Sequence, residues 1–433
     1  MNHTTSSVDA RAAGPGVDSG AGGPDGADRT PGARAGRAVL PRLVALDAET
    51  FAREHWGRRA LLSTAAELPQ DFSDLLSADA VDELVSERGL RTPFLRVAKN
   101  GTTLAERSFT APGGVGAGVA DQVSDDKLVD LFADGSTMVL QALHRVWPPV
   151  LAFCQQLAGE LGHPVQANAY VTPPQNQGFS NHYDVHDVFV LQIEGEKRWQ
   201  IHAPVLESPL RDQPWSDRKA AVAARAAEEP LLEAVLRPGD CLYLPRGFLH
   251  AATALGGVST HLTIGVHSWT RYALAEQLLQ QALRTVASDP AVRGSLPLGV
   301  DLGRPDDLAD DVDAVRAALV AALGSADLER LSDVLHGSAR ASQRAAPVGP
   351  LRQLRTAEHL QPGTVLVLRA HLTARLVARG TGGVVRSRAA DLVVDAVDLP
   401  AVRRLLETGS ATAAELGDEL ARRLVLGGLV VAG

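Results

Sequence analysis

Apolar positions along the chain change period twice. Near the start of the ordered pattern the spacing is helical in short pieces. AETFAREHWGRRALLST sets Phe51, Trp56, Leu61 and Leu62 where a short amphipathic helix packs and then leads into a strand, and DLLSADAVDELVSE reads as a second helix. From about Asn168 to His267 the texture becomes short apolar runs broken by Gly, Pro and Asn: ANAYVTPP, DVFVLQI, KRWQIHAP, EAVLRPGD, CLYLP and THLTIGVH. Short strands separated by turn signals predict an all-β core, a sandwich or small barrel. After Trp269 the helical spacing returns in RYALAEQLLQQALRTVA and DAVRAALVAAL, and GSARASQRAAPVGP reads as a linker. The last segment, about Leu351 to Gly433, offers strand-like GTVLVLR and VVRSRAADLVVD, then helices in LPAVRRLLETG and TAAELGDELARRLVLGG and a closing strand. That order suggests a winged-helix-like module.

Residues 1–37 are Gly, Ala, Pro, Ser and Asp without an aromatic side chain, too little apolar surface to offset the entropy of ordering, and predict a disordered tail. The acidic Asp9, Asp18, Asp25 and Asp28 argue against a transit peptide. The remainder is ample for a packed core, since 45% of the 433 residues are hydrophobic. With 42 Lys+Arg against 51 Asp+Glu the net charge is −9, which speaks against a general binder of nucleic acid or anionic membrane. The last segment carries 11 Arg against 8 Asp+Glu, too slight an excess for direct DNA binding to be expected. Two cysteines, Cys154 and Cys241, cannot build a disulfide framework. No apolar run resembles a signal peptide or spans a bilayer. A soluble, cytoplasmic protein is expected.

Candidate chemistry sits in the β-rich segment. In NHYDVHD, His182 and Asp184 are two apart, so in extended chain they share a face and can converge on one ion. Alone this is a common pair that a solvated strand edge also explains. RPGDCLYLPRGFLH adds a tight turn at Gly239 and Asp240, a buried strand, a second turn at Pro245 and Gly247, and then His250, in the order of the second signature of cupin barrels. His182, Asp184 and His250 form a candidate two-histidine, one-carboxylate facial triad, which leaves coordination positions open and suits non-haem Fe(II). In EKRWQIHAP, alternation puts Lys197, Trp199 and Ile201 on one face. If that face points inward, Lys197 is a buried ammonium needing an anion, and a dicarboxylate would serve; otherwise it snorkels to the rim. Asn168, Tyr170 and Thr263 can share the face and supply neutral hydrogen bonds. His186 is too far along an extended strand to join His182, and His202, His261 and His267 read as packed or surface histidines. Cys241 reads as a small core residue.

NAYVTPPQNQGFSNHYDVHDVFVLQIEGEKRW, followed by LYLPRGFLHAA and HLTIGV, resembles the JmjC-domain ribosomal oxygenases of the cupin superfamily, with FAREHWGRRALL upstream extending the likeness from about Ala45 to the C-terminus. The resemblance implies an α+β fold built on a double-stranded β-helix: a tail over 1–37, the JmjC/cupin domain over 38–268, a helical dimerisation segment over 269–345 and a winged-helix-like domain over 346–433. It implies an Fe(II)- and 2-oxoglutarate-dependent dioxygenase, with O2 as the other co-substrate, that hydroxylates Arg or His of a ribosomal protein and forms a homodimer. His182, Asp184 and His250 would bind the iron. Lys197 would pair with the 5-carboxylate of 2-oxoglutarate in a pocket lined by Asn168, Tyr170 and Thr263. The general cupin pattern has His-x-His in its first motif and Asn four after its last histidine; Asp184 and Ala254 stand there instead, and Asp184 favours an oxygenase. Two rivals remain at this stage: a JmjC-type demethylase, and a non-enzymic ligand-sensing cupin/winged-helix regulator.

Overall fold

The structure is a computed structural model and describes residues 38–99, 101–176 and 179–433. The expected tail over 1–37 lies outside these residues. The described residues belong to one compact unit.

Nine of the described strands form one antiparallel sheet: β1 (Leu61–Ser63), β2 (Leu95–Lys99), β3 (Thr102–Thr103), β4 (Thr137–Leu140), β5 (Val165–Thr172), β6 (Asp187–His202), β7 (Leu232–Leu236), β8 (Cys241–Leu244) and β9 (Leu249–Val266). The order is β1-β8-β6-β9-β5-β4-β2-β3, with β7 joined to the second half of β6. Two long strands carry it. Residues Leu249–Leu255 of β9 pair with the second half of β6, whereas Thr260–Val266 pair with its first half and with β5. The register shifts between Leu255 and Thr260, so both long strands bend there. On β6 the bend falls at Gly195, where φ is +64° and a Cβ would meet the Val258 carbonyl oxygen at 2.0 Å. Glycine is the residue that fits both demands.

Alternation explains the two faces of β5. Val165, Ala167, Ala169 and Val171 are buried against the core, where helix Pro148–Leu161 contributes Val150, Phe153 and Leu157. Gln166, Asn168 and Tyr170 face the other way and stay partly accessible. The same period-2 pattern turns Lys197, Trp199 and Ile201 of β6 inward, all three buried.

The N-terminal readings hold in outline. A helical turn at Ala48–Thr50, capped by the Asp47 side chain, continues in wider turns through His55 and leads to β1. After the sheet come helices Arg271–Val286 and Pro305–Gly324. The stretch read as a linker is different: helix Leu328–Ser342 runs through its first six residues, and only 343–349 lack helix. Composition misled because Gly, Ser and Ala were weighed above the apolar spacing of Leu328, Leu331 and Val334 that precedes them.

The C-terminal segment has its own core around Leu366, Val385, Leu405, Leu420, Leu424 and Val430. Strand Val365–Leu368 pairs with Ser410–Thr412 and Val430–Ala432, beside a separate three-stranded sheet of Arg375–Arg379, Gly382–Arg386 and Asp391–Val394. VVRSRAADLVVD is thus two strands and a turn. The arginine-flanked strand Arg375–Arg379 gave no apolar signal strong enough to read. No described helix is long and apolar enough to cross a membrane.

Gly195→Ala is expected to lower the free energy of unfolding by about 2–3 kcal/mol, because positive φ and the Val258 carbonyl both oppose a Cβ. Urea denaturation of the two proteins checks this.

Candidate metal centre and its cavity

The segment before β6 and the start of β9 are tied by a reciprocal backbone bridge. His182 N–H donates to the His250 carbonyl at 3.2 Å, and His250 N–H donates to the His182 carbonyl at 2.8 Å. Gly247, at φ +90°, donates its N–H to the Asp184 carbonyl at 3.0 Å. Between the two candidate ligands, Tyr183 points the opposite way into the core and its hydroxyl donates to the Gln213 carbonyl at 2.9 Å. These bonds bring His182, Asp184 and His250 together, with one ligand atom from each lying within 4.8 Å of the others.

The ring nitrogens are oriented from behind. His182 Nδ1 lies 2.8 Å from the Ser180 carbonyl and His250 Nδ1 lies 3.1 Å from the Phe248 carbonyl. A carbonyl only accepts, so each Nδ1 carries a proton, which leaves Nε2 as the atom each ring can offer to a metal. His250 Nε2 is 3.9 Å from Asp184 Oδ2. Burial, and after it the neighbouring His182, push His250 down to about 4, so its imidazole is neutral at physiological pH. Burial alone would raise the Asp184 carboxyl; His186, His250, His182 and Arg96 outweigh it and hold the group below the usual carboxylate range. Two bare imidazole nitrogens and one carboxylate oxygen at this spacing fit a divalent first-row metal ion.

Thr137, Val188, Val190 and Lys197 line the same cavity as the triad. Lys197 is 3% exposed. Its Nζ donates to Thr172 Oγ1 at 3.0 Å and lies 3.4 Å from His261 Nδ1. Among the described residues no carboxylate stands within ion-pairing distance, and burial pushes the ammonium down to about 7. His261 is held well below its usual value by burial and then by Lys197, and is therefore neutral. Its ring stacks on Tyr170 at 4.9 Å and meets Trp199 edge-on at 5.4 Å.

Of the residues singled out from sequence, Tyr170 and Thr263 line this cavity with the triad and Lys197, and they also line a second one beside it. Asn168 lies on the second cavity, and its Oδ1 accepts from Ala142 N–H at 2.9 Å. His186 is outside the three-residue cluster; its ring stacks on His267 at 5.1 Å. His202 is buried, as is Cys241. Sequence reasoning passed over Thr172 and His261. His261 lies inside β9 rather than after it, and the alternation that placed Lys197 would have put His261 and Thr263 on one face.

Residues 148–274 match the family model for the JmjC domain. The chain carries a JmjC domain. Its curated relatives include ribosomal oxygenase 1 of Gallus gallus, 32% identical over 63% of this chain and 44% of that protein. Another is the bifunctional lysine-specific demethylase and histidyl-hydroxylase NO66 of Drosophila mojavensis, 30% identical over 60% of this chain and 28% of that protein. The chain thus spans less than half the length of either relative. Among solved structures, the ribosomal oxygenase YcfD of Escherichia coli in complex with cobalt and 2-oxoglutarate matches with a TM-score of 0.53 and 19% identity over 89% of this chain and 98% of that one. The matched residues 148–274 hold the two long strands of the antiparallel sheet, and the triad sits where β9 closes against the segment before β6.

Cobalt(II) or manganese(II) titration by calorimetry is expected to show one site per chain. Asp184→Ala or His250→Ala should weaken binding at least about a hundredfold, beyond the usual effect of losing a supporting partner.

Proposed function

We propose that the protein is an Fe(II)- and 2-oxoglutarate-dependent oxygenase that hydroxylates a side chain of a ribosomal protein. The observation that carries this reading is a facial set of two histidines and a carboxylate that shares one cavity with a buried ammonium that has no acidic partner among the described residues. The names of the relatives, ribosomal oxygenase and histidyl-hydroxylase, point the same way.

In this reading His182, Asp184 and His250 hold the iron, and Lys197 receives the 5-carboxylate of 2-oxoglutarate. Bound there, the metal and the keto acid supply the oxidising power that puts one oxygen atom of O2 into a C–H bond and the other into succinate, with loss of carbon dioxide. The chain's own contribution is placement. Ser180 and Phe248 fix the imidazoles, Thr172 and His261 aim the Lys197 ammonium without neutralising it, and Tyr170 and Thr263 wall the passage between the two ends. A keto acid gripped at both ends has one orientation available.

The finer organisation belongs to the same proposal. Helix Arg271–Val286 leaves Tyr272, Leu279 and Leu283 exposed, which supports a homodimer through the helical segment 269–345. A helix pair with flanking short strands supports a winged-helix-like domain over 346–433. The free, buried Cys154 and Cys241 suit a cytoplasmic setting, where ribosomal proteins are met.

His182→Ala and Asp184→Ala are expected to reduce succinate formation from 2-oxoglutarate to background. Retained turnover in either removes the assignment. Lys197→Ala should raise the apparent dissociation constant for 2-oxoglutarate roughly ten- to a hundredfold, the worth of a charge-assisted contact. The dicarboxylate needs the charged ammonium, which is about half formed at pH 7, predominates below it and must be regenerated from a neutral amine above it. Affinity should therefore fall by up to about tenfold per pH unit above 7, and the Lys197→Ala protein should lose that slope. Equilibrium binding at pH 6, 7 and 8 in the presence of manganese(II) checks both.

A further inference from the structure

Asp187 opens β6 and is the most buried carboxylate among the described residues, at 1% exposure. It lies three positions after Asp184 yet stands outside the metal cluster. Its Oδ1 accepts from the Arg246 backbone N–H at 2.8 Å, and its Oδ2 accepts from the Ser268 hydroxyl at 2.7 Å. The Arg246 Nη1 stands farther off, 3.7 Å from Oδ2. A buried carboxylate is costly unless it is hydrogen-bonded, and the short bonds here go to a backbone N–H and a hydroxyl.

Those two partners flank one strand. Arg246 stands three residues before β9 begins and Ser268 two residues after it ends, so one carboxylate clamps the entry and the exit of β9 to the start of β6. The entry is the part that reaches the triad. The turn Pro245–Gly247 presents two successive N–H groups to the segment before β6, Arg246's to the Asp187 carboxylate and Gly247's to the Asp184 carbonyl at 3.0 Å. Next along the chain, the Phe248 carbonyl holds His250 Nδ1 at 3.1 Å. Behind the turn, a Cβ on Gly247 would meet the Leu206 carbonyl oxygen at 2.6 Å, so the backbone has no room to retreat on that side. Loss of the Asp187 acceptor orphans the Arg246 N–H directly beside the bond that holds Asp184.

We infer that Asp187 is a positioning residue for the metal centre: through the turn Pro245–Gly247 it sets the spacing of the Asp184 carboxylate and the His250 imidazole without itself touching the ion. This rests on the reading of His182, Asp184 and His250 as a metal site. Ligands must be held close to their bound geometry for an ion to be gripped, and the groups behind them are what hold them. Asp187 acts one step further back, on the backbone that carries both ligands' supports.

The test titrates cobalt(II) into the full chain by calorimetry, records the visible absorption of the bound ion, and follows hydrogen exchange in the metal-free protein. Asp187→Ala should weaken cobalt binding at least about tenfold, shift the absorption bands, and speed exchange in the peptide that contains Gly247 and His250. Asp187→Asn can still accept from the Arg246 N–H and donate to Ser268 Oγ, and should restore affinity to within about threefold of the wild type. Gly195→Ala is the control for lost stability: it weakens the sheet at its bend and should bind cobalt with wild-type affinity and bands. If Asp187→Ala does not fold, Asp187→Leu combined with Arg246→Met takes its place with the same expectation, since it replaces the buried pair by apolar side chains of similar size. Wild-type affinity and bands in the Ala or the double variant, an Asn variant no better than Ala, or an equal loss in Gly195→Ala overturns the inference. A wild-type protein that takes up no cobalt removes the metal-centre reading itself; one that binds, with variants that bind as well, removes only the role of Asp187.

Discussion

The reciprocal hydrogen bonds between His182 and His250 are the constraint on which the site depends. They close an antiparallel bridge between an irregular segment and the first turn of an 18-residue strand, so two side chains 68 positions apart in sequence are fixed by their own backbones. Asp184 then arrives by strand geometry, two residues on from His182 and on the same side, and Gly247 secures its carbonyl. No side chain in the triad has to hold another in place. Each Nδ1 is anchored to a carbonyl in its own neighbourhood, and the metal-facing atoms are free of competing partners. A centre built this way is organised before any ion arrives, which limits the ordering that binding must pay for.

Lys197 shows the opposite economy. A buried ammonium with only a hydroxyl and a neutral imidazole for company is costly in the free protein. The fold tolerates it because β6 is pinned on both sides over this stretch, by β7 and by β9, and the backbone cannot slip to release the side chain. An anion beside the ammonium would offset that cost.

Much of this was legible in the residues. The i, i+2 spacing of His182 and Asp184, the turn glycines Gly239 and Gly247, both at positive φ, and the inward set of Lys197, Trp199 and Ile201 are local signals, and local signals survive folding. What could not be read is what depends on register between distant strands. Thr172 reaches Lys197 and His261 stacks on Tyr170 only because β5 and β9 pair in one register, His261 opposite Tyr170. Arg96 comes from a strand that joins the sheet through β4, and nothing in LRVAK distinguishes it from the other arginines of an arginine-rich chain. Asn168 was readable as a cavity residue but not as a member of the second cavity, because its place depends on the left-handed turn at Ala142 whose N–H it binds. The helix that replaced the expected linker fell to composition outweighing period.

The charges along the concave face have an order that neither cavity shows alone. Three charged stations stand along it: Lys197 in the first cavity, the Asp184 carboxylate in both, and Arg96 in the second. A divalent ion at the centre would make all three stations positive. A dianion can then enter and stay, since it meets a cation at each of its ends. One face of the sheet thus carries all three groups, with Asp184 common to both cavities, and their placement is fixed by strand pairing.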